Sequence, residues 1–529
     1  MVFAVLLLCI LGMALPAGAA EQTGAPAKGK ILFVPHDNRP ISDARTAEVV
    51  RRLGYEVIVP PRELLDTGPD KRGDAEALWQ WTKKNAQGVQ AAVVSSDSLL
   101  YGGLISSRKY DYQKNDVQAR VPHLEELRKD HPDLRLYVFG SIMRTPKSGV
   151  NAGTQEPDYY MEYGADIFRY TGLCDKEDQT GLSRAEKEEQ AALKAKIPAP
   201  ALQDWLERRA KNFAANEKLI DVTREGSFDY FILGRDDNAP LSQTHMESRK
   251  LAAYSAALPA SKFQIMTGID EMGLLLLTRA VNDLRANVPF VYVTYNKGMG
   301  GQTIPSYSDE PIARSLAAEI KAVGGIQVAE PQKAELVLAV NTNPDGRTME
   351  ANEAENNGVP RAGTQSFVDM VAGYVQAGCA VGVADIAFAN GADNAMMQRL
   401  KDNDLLFKLR SYAGYNTATN STGFALGQGI LAAQMDDDEA DRLLLNRYLD
   451  DWGYQGNVRT TLIVQLDWLR ERGIYADMGS RRQGAEVRTT RLMREFAENN
   501  LPPFACLQGL RAEFPVSRGF DVNILLGDE

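Results

Sequence analysis

The sequence predicts an α/β protein whose core is either a (β/α) barrel-like structure or a doubly wound parallel sheet. Short apolar runs alternate with helical stretches between residues 31 and 142. The same alternation returns between residues 230 and 412, after a helical insertion. Strands that alternate with helices at this spacing are typical of parallel βαβ units.

The first block of alternation predicts four strands with three intervening helices. The strands are short apolar runs at residues 31–35, 56–60, 91–95 and 135–142. The helices are predicted at residues 43–53, 74–85 and 116–129.

Residues 150–225 interrupt this rhythm. The segment begins polar and Tyr-rich, and residues 178–196 and 202–220 are rich in Glu, Lys, Arg and Ala, which predicts two long helices. Two interpretations of this insertion stay open: a lid over the site, or a helical hairpin packed on the outside.

The second block predicts five or six more strands. The strands are at residues 230–234, 263–268, 289–295, 336–341 and 380–384, with 407–412 as a further candidate. Helices are predicted at residues 243–257, 271–286, 311–323, 365–376 and 394–401. Nine or ten strands fit either a barrel with an extra unit or two doubly wound lobes.

The chain changes character after Gly423, so we predict an α/β domain at residues 31–423 and a mainly helical region at 424–529. Helices are predicted at residues 424–434, 436–451, 458–472 and 489–499. Residues 522–526 are either a closing strand or a tail packed on the helices.

The N-terminus predicts export from the cytoplasm. Residues 1–20 carry no charge, and their apolar run ends in small residues at Ala17-Gly18-Ala19. This pattern predicts a secretory signal peptide, followed by a linker at residues 21–30. The apolar run is shorter than the roughly 18–20 residues that span a membrane. We therefore expect a secreted or periplasmic protein without stable membrane insertion.

Composition excludes several classes of function. The net charge of −11 argues against a nucleic-acid partner, because no basic stripe is available to neutralise phosphates. The three cysteines beyond residue 20 are widely spaced and form no metal motif. The four histidines show no HxH or HExxH spacing, and the chain has no GxSxG or Walker A sequence. No cofactor and no bound metal are expected.

Acid, amide, Arg and Tyr side chains follow most of the predicted strands, where α/β proteins bind ligands. Helix capping explains part of this enrichment. Side chains of these types, with few Lys, also suit hydrogen bonding to a neutral polyol such as a sugar, so the expected partner is a glycan or another small polyol. The candidate site residues are Asp37, Arg39, Asp97, Tyr101, Arg108, Arg144, Asp236, Asp237, Asp270, Glu271, Asn296, Asn341, Asp385, Asn390, Asp393, Tyr415 and Asn416.

The adjacent acids Asp236 and Asp237 are the favoured catalytic pair. One helix cap needs one acid, so capping does not explain both. Neighbouring acids suit substrate-assisted glycoside hydrolysis, in which the sugar's 2-acetamido oxygen attacks. We expect Asp236 to polarise that amide and Asp237 to protonate the leaving oxygen, since like charges raise one pKa. Asp270-Glu271 is a second candidate pair, although Glu271 could simply open a helix.

The other acids and amides have expected roles around this pair. We predict that sugar hydroxyls bind to Asp97, Asp385 or Asp393. We place Tyr415 and Asn416 near the acetamido pocket.

Six segments resemble the bacterial family catalogued as domain of unknown function 4127. They are VPHDNRP, SSDSLLYGGLISSR, LGRDDNAP, TGIDE, ADIAFANGAD and YAGYNTATNSTG, which together span residues 31 to about 430. The family name implies no activity. The DD strand end and the YNTATNSTG segment are also similar to O-GlcNAcase-like N-acetylhexosaminidases. Such pockets often use a large aromatic residue where this chain has Tyr415.

Two other functions fit the same residues. One is a non-catalytic extracytoplasmic protein that binds glycans. The other is a hydrolase that holds a divalent metal through carboxylates, which are the ligands that Ca²⁺ and Mg²⁺ prefer.

Overall fold

A computed structural model of the chain describes residues 28–68, 71–111, 113–149, 155–516 and 518–527. The predicted signal peptide at residues 1–20 lies outside the described residues. So do most of the predicted linker, up to residue 27, and the first residues of the insertion, 150–154.

The described strands form two separate parallel sheets and two small pairs. In chain order the strands are β1 (Lys30–Val34), β2 (Glu56–Ile58), β3 (Ala91–Ser95), β4 (Arg135–Ile142), β5 (Tyr230–Arg235), β6 (Phe263–Thr267), β7 (Phe290–Tyr295), β8 (Ile326–Gln327), β9 (Leu336–Asn341), β10 (Met349–Glu350), β11 (Val381–Asp385), β12 (Phe388–Ala389), β13 (Ser411–Ala413), β14 (Arg511–Glu513) and β15 (Asn523–Leu525). The first sheet has the order β2-β1-β3-β4-β5-β6 and the second has the order β13-β11-β9-β7-β8. Both sheets are open, so the barrel alternative is wrong and the core is doubly wound.

The two sheets share one winding pattern. Numbered from its own first strand, each sheet has the order 2-1-3-4-5, and the first sheet adds a sixth strand. All pairings within these sheets are parallel, as between β1 and β3 or between β9 and β11. In this order the chain reverses its winding between the first and third strands, and ligands bind there beyond the carboxyl ends. We call the first sheet with its helices the first lobe and the second sheet with its helices the second lobe.

The helices follow the strands along the chain. The α-helices are α1 (Ala44–Arg51), α2 (Ala75–Asn85), α3 (Ser96–Tyr101), α4 (Leu104–Lys109), α5 (Lys114–Arg120), α6 (Pro122–Asp130), α7 (Tyr160–Thr180), α8 (Arg184–Lys196), α9 (Ala199–Arg224), α10 (Gln243–Tyr254), α11 (Met272–Leu284), α12 (Ile312–Ala322), α13 (Thr364–Gln376), α14 (Asn394–Asp402), α15 (Ala418–Ala432), α16 (Asp437–Arg447), α17 (Arg459–Gln465), α18 (Asp467–Arg472) and α19 (Arg482–Asn500). A π-helical segment, Tyr448–Val458, joins α16 to α17.

Helices α1, α11, α12 and α15 lie between the two sheets. One continuous cluster of buried side chains joins Phe33 of the first sheet, Leu276 of α11, Leu316 of α12 and Leu338 of the second sheet. All four leucines of the run LLLL in α11 are buried. A helix whose neighbours cover it around its circumference needs apolar residues at consecutive positions, because an amphipathic pattern would bury polar side chains in this layer. The shared layer holds the two carboxyl edges in a fixed relation, which positions the site.

The outer faces of the sheets carry the remaining helices. The first sheet packs against α2, α6 and the C-terminal half of α9, through residues such as Leu78, Leu124 and Leu219. The second sheet packs against α13, α14 and the C-terminal helices. The insertion is therefore anchored to the core by α9.

Several element bounds differ from the sequence prediction for local reasons. Pro122 starts a new helix, so the predicted helix 116–129 is two helices. The predicted strand at residues 407–412 starts too early. A 3₁₀ turn occupies Leu406–Lys408, and the strand begins at Ser411. Helix α15 begins at Ala418 and crosses the predicted boundary at Gly423.

Across the described ranges, no helix combines the length and the apolar character needed to cross a membrane.

Candidate functional site

A cavity of about 640 Å³ lies where the carboxyl edge of the first sheet meets loops of the second lobe. This size falls within the range of small-molecule sites, roughly 300–1,000 Å³. The predicted residues that line it are Asp37, Arg39, Arg108, Arg144, Asp236, Asp237, Asp270, Asn390 and Asn416.

The end of β5 places two acids in different environments. Asp236 is buried, its Oδ2 accepts no hydrogen bond from the described residues, and Arg108 Nη1 lies 3.5 Å from it. Burial raises the pKa of Asp236 to about 6, against the pull of Arg108 and with the help of the Asp237 charge. Asp237 is about a quarter exposed, and its Oδ2 accepts a 2.8 Å hydrogen bond from Arg144.

The two arginines beside this pair are held by Glu156, the second described residue of the insertion. Its Oε1 lies 2.8 Å from Arg144 Nε and 3.5 Å from Arg108 Nη1. Arg209 of α9 then donates to the carbonyl oxygen of Arg144 at 2.8 Å. The insertion thus fixes the two cations that lie beside Asp236 and Asp237.

A third carboxylate in the cavity, that of Asp270, is surrounded by an arginine, a histidine and two amide groups. Asp270, at the end of β6, accepts two hydrogen bonds from Arg39, at 3.1 and 2.6 Å, and lies 3.1 Å from His36 Nε2. Asn416 and Asn420 donate to it at 2.8 and 3.3 Å. Burial alone would raise the pKa of Asp270, but Arg39 and His36 outweigh it, so this pKa lies well below its usual range.

Asp37 completes this group at the end of β1. It accepts a 2.8 Å hydrogen bond from Arg39 Nε. Burial opposes ionisation, and Arg39 then holds the pKa of Asp37 below its ordinary value. The cavity therefore contains one acid with a raised pKa, Asp236, and two with lowered pKa values, Asp37 and Asp270. Catalytic sites often separate a proton donor from an ionised carboxylate in this way.

Backbone strain is concentrated around the same cavity. Six non-glycine residues in the described part of the chain have a positive φ. Four of them line the cavity: Asp237 at +32°, Tyr307 at +65°, Asn390 at +63° and Asn416 at +58°. Such strain persists only where the surroundings impose it and clusters at functional sites.

Hydrogen bonds connect these strained residues into a polar belt that crosses from one lobe to the other. Asn416 donates to Asp270 and accepts from the backbone N–H of Asn390 at 2.8 Å. Asn390 Nδ2 donates to Glu350 at 2.8 Å, and the Tyr307 hydroxyl donates to the other Glu350 oxygen at 3.1 Å. The belt fixes the width of the cavity.

The C-terminal region supplies a wall that sequence reasoning missed. Tyr475 and Phe520 line the cavity and stack on each other, with ring centres 5.1 Å apart and planes 24° apart. Arg518 also lines the cavity and is paired with Asp521. No predicted strand end marks these residues, because Tyr475 lies between α18 and α19, and Arg518 and Phe520 lie between β14 and β15. Tyr307, Glu350 and Asn352 were missed because they too do not follow a predicted strand directly.

Four predicted site residues lie behind the cavity wall. Asp97 is buried and accepts from Ser141 Oγ at 3.0 Å, and Tyr101 packs in the outer core of the first lobe. Glu271 lies behind Gly268, where an added Cβ would meet its Oε1 at 1.8 Å. The Tyr415 hydroxyl donates to Asp521 at 3.1 Å, and Tyr415 does not line the cavity.

Four predicted residues of the second lobe do not line this cavity either. Asn296, Asn341, Asp385 and Asp393 form a separate buried network. Asn341 Nδ2 donates to both carboxylates at 3.0 Å. Asp393 also caps α14, as the helix-cap explanation predicted. These four side chains lie outside the cavity, whereas Asn390 and Asn416 of the same lobe line it.

Within the described ranges, no group of three or more His, Cys, Asp or Glu side chains is arranged to hold a metal ion.

The family model described as "Protein of unknown function (DUF4127)" matches residues 31–525. Neither the search of curated proteins nor the search of solved structures gave a significant match. The similarity to O-GlcNAcase-like enzymes stays a prediction.

Proposed function

We propose that this chain, which belongs to the DUF4127 family, is a glycoside hydrolase that acts on amino-sugar-containing glycans. The observation that carries the proposal is the adjacent pair Asp236 and Asp237 on the cavity wall, where Asp236 is buried with an oxygen that accepts no hydrogen bond from the described residues and Asp237 is paired with Arg144. General acid–base catalysis needs a proton donor whose pKa lies near the working pH.

The environments of the two acids favour a division of labour opposite to the one that the sequence suggested. Asp236, with its raised pKa, is the better proton donor to the leaving oxygen. Asp237, more exposed and held by Arg144, is the better partner for the acetamido N–H.

The proposed reaction is substrate-assisted. The acetamido oxygen forms a bond to the anomeric carbon while the bond to the leaving oxygen breaks, and Asp236 gives its proton to that oxygen. A water molecule then opens the cyclic intermediate and returns a proton to Asp236. Asp237 stabilises the positive charge that develops on the acetamido group.

The polar lining supports a hydroxyl-rich substrate. Acceptors such as Asp236 Oδ2 and Asn420 Oδ1, which accept no hydrogen bond from the described residues, can bind neutral hydroxyls without a charge on the ligand. Together with the predicted signal peptide at residues 1–20, this supports action outside the cytoplasm, on secreted or cell-envelope glycans.

Asp236→Asn and Asp237→Asn, assayed with aryl N-acetylhexosaminides, test the proposal. We expect Asp236→Asn to lower kcat by about 10²–10⁴-fold, the usual value of general acid–base catalysis. We expect Asp237→Asn to lower kcat by about 10²–10³-fold, the usual value of one electrostatic contact to the transition state. Asp467→Asn is a matched control, because Asp467 is exposed on α18 and its only assigned role is a surface pair with Arg470. Unchanged turnover in both cavity variants would end the proposal. Sugar binding without product would instead favour the non-catalytic glycan-binding alternative.

A further inference from the structure

Tyr475 is a large aromatic side chain that stays partly open at the cavity although its surroundings hold it firmly. Its side chain is 38% exposed, and it borders the cavity. Neighbouring Ile474 accepts a 2.9 Å hydrogen bond from the backbone N–H of Gly519, which ties the segment around residue 475 to the segment around residue 519. An exposed aromatic ring in a fixed position is poorly explained as core packing.

Phe520 and the residues around it make this wall rigid. Phe520 stacks on Tyr475, and the Arg459 guanidinium lies 4.9 Å from the Phe520 ring centre. Asp521 is held by both Arg518, at 2.7 Å, and the Tyr415 hydroxyl, at 3.1 Å. Preorganisation of this kind lowers the entropic cost of binding a ligand.

The wall lies near the acid pair. Tyr475 lines the same cavity as Asp236 and Asp237. Most of the remaining lining is polar, with Asp, Asn, Arg and Thr side chains. An aromatic side chain among hydrogen-bonding groups matches a pyranose ring, which has an apolar C–H face and hydroxyls at its edge.

We propose that Tyr475, backed by the buried Phe520, forms the stacking wall for a pyranose ring of the substrate beside Asp236 and Asp237. The inference rests on the proposed function and names the subsite that would hold the sugar. The C-terminal region is then part of the binding site and has more than a structural role.

The test has two assays. Binding of chitobiose is measured in an Asp236→Asn background, so that turnover does not consume the ligand. Hydrolysis of an aryl N-acetylhexosaminide is measured in the chain with Asp236 intact. Tyr475→Leu removes the aromatic face and keeps apolar volume, while Tyr475→Phe keeps the face. We expect Tyr475→Leu to weaken binding by about tenfold, with KM raised more than kcat is lowered, and Tyr475→Phe to stay within about twofold of the parent.

Tyr254→Leu is the matched control, because Tyr254 is 40% exposed on α10 and does not line the cavity. Thermal unfolding of all variants checks that the fold is kept. Binding by Tyr475→Leu equal to that of the parent would overturn the wall. Equal losses in Tyr475→Leu and Tyr475→Phe would also overturn it, because the hydroxyl and not the ring face would then matter.

The failure of the wall can be told apart from the failure of the hydrolase proposal. If chitobiose binding depends on the Tyr475 ring but the chain with Asp236 intact releases no product, the wall is supported and the hydrolase is refuted. Hydrolysis by the parent with unaltered binding and KM in Tyr475→Leu supports the hydrolase and refutes the wall. A parent chain that neither binds chitobiose nor cleaves the glycoside refutes both.

Discussion

Removal of the Arg108 charge should shift the pH dependence of catalysis to higher pH. Arg108 lowers the pKa of Asp236, whereas burial and Asp237 raise it, and the resulting value is about 6. A general acid works in its protonated form, so the rate falls as the pH rises through this pKa. In Arg108→Met the opposing charge is lost, the pKa of Asp236 rises, and the alkaline limb of the pH–rate profile should move upward.

The size of the shift follows from the geometry. Opposite unit charges 3.5 Å apart attract by about 5 kcal/mol at an effective dielectric constant of about 20. Part of this is offset, because the smaller side chain admits water to Asp236 and because Arg144 remains nearby. We therefore expect a rise of roughly one to two pKa units, or about 1.4–2.7 kcal/mol.

The assay is kcat and kcat/KM for an aryl N-acetylhexosaminide between pH 4 and 9. Arg108→Lys is the matched control: it keeps the charge, so its alkaline limb should stay within about half a unit of the parent. Binding contacts of Arg108 to the substrate would change KM in both variants but would not move the limb. An alkaline limb that stays in place in Arg108→Met, or moves to lower pH, would refute Asp236 as the proton donor.

Two further predictions concern stability. Arg209→Met should destabilise the fold by about 3–5 kcal/mol in urea unfolding, because it leaves Glu247, bound at 2.8 and 2.6 Å, as a buried acid without its cation. The double variant with Glu247→Leu should recover most of the loss, and a loss below about 1 kcal/mol in the single variant would contradict the assignment. Burial raises the pKa of Glu271 from 4.5 to about 8, so the folded state holds its proton more tightly than the unfolded chain and stability should fall as pH rises from 4.5 to 8. Glu271→Gln should lack this fall, with a difference on the order of 4 kcal/mol across the window, and parallel pH–stability curves for parent and variant would contradict it.

The sequence predicted the strands where apolar residues form uninterrupted runs. The strand predicted at residues 230–234 is β5, Tyr230–Arg235, because strands buried on both faces need apolar residues throughout. Two-residue strands such as β10 and β12 could not be found, since they are defined only by pairing with each other across some forty residues. The choice between a barrel and two lobes depends on pairing partners in the same way, and no local pattern encodes it.

The candidate site was predictable only where its residues follow a strand. Asp236 follows β5 directly and Asp270 comes soon after β6, and the strand-end rule found both. Tyr475 lies in the loop between α18 and α19, and Phe520 in the loop between β14 and β15. Both reach the cavity only because the C-terminal region packs back against the second lobe. Tyr307 lies in a long loop, and its positive φ is invisible to residue propensities, which expect Gly or Asn there.

The carboxyl edge of the first sheet borders the cavity, whereas the carboxylates at the edge of the second sheet are bound by groups of their own lobe. Both sheets have the same strand order, so each has a crevice at its carboxyl edge. In the second lobe the Asp393 carboxylate is occupied by Arg361, Asn341 and the start of α14, and Asp385 by Asn341, Tyr412 and a backbone N–H.

In the first lobe, by contrast, Asp236 keeps a buried oxygen without a hydrogen bond from the described residues. An unmade hydrogen bond on a buried acid costs about 1–3 kcal/mol, and a ligand that donates to it recovers that energy on binding. The two carboxylates of the second crevice leave no such oxygen, since side chains and a backbone N–H of the same lobe already occupy them. A ligand is therefore expected at the first lobe alone, with the second lobe serving as the opposite wall that carries Glu350, Asn390 and Asn416 to it.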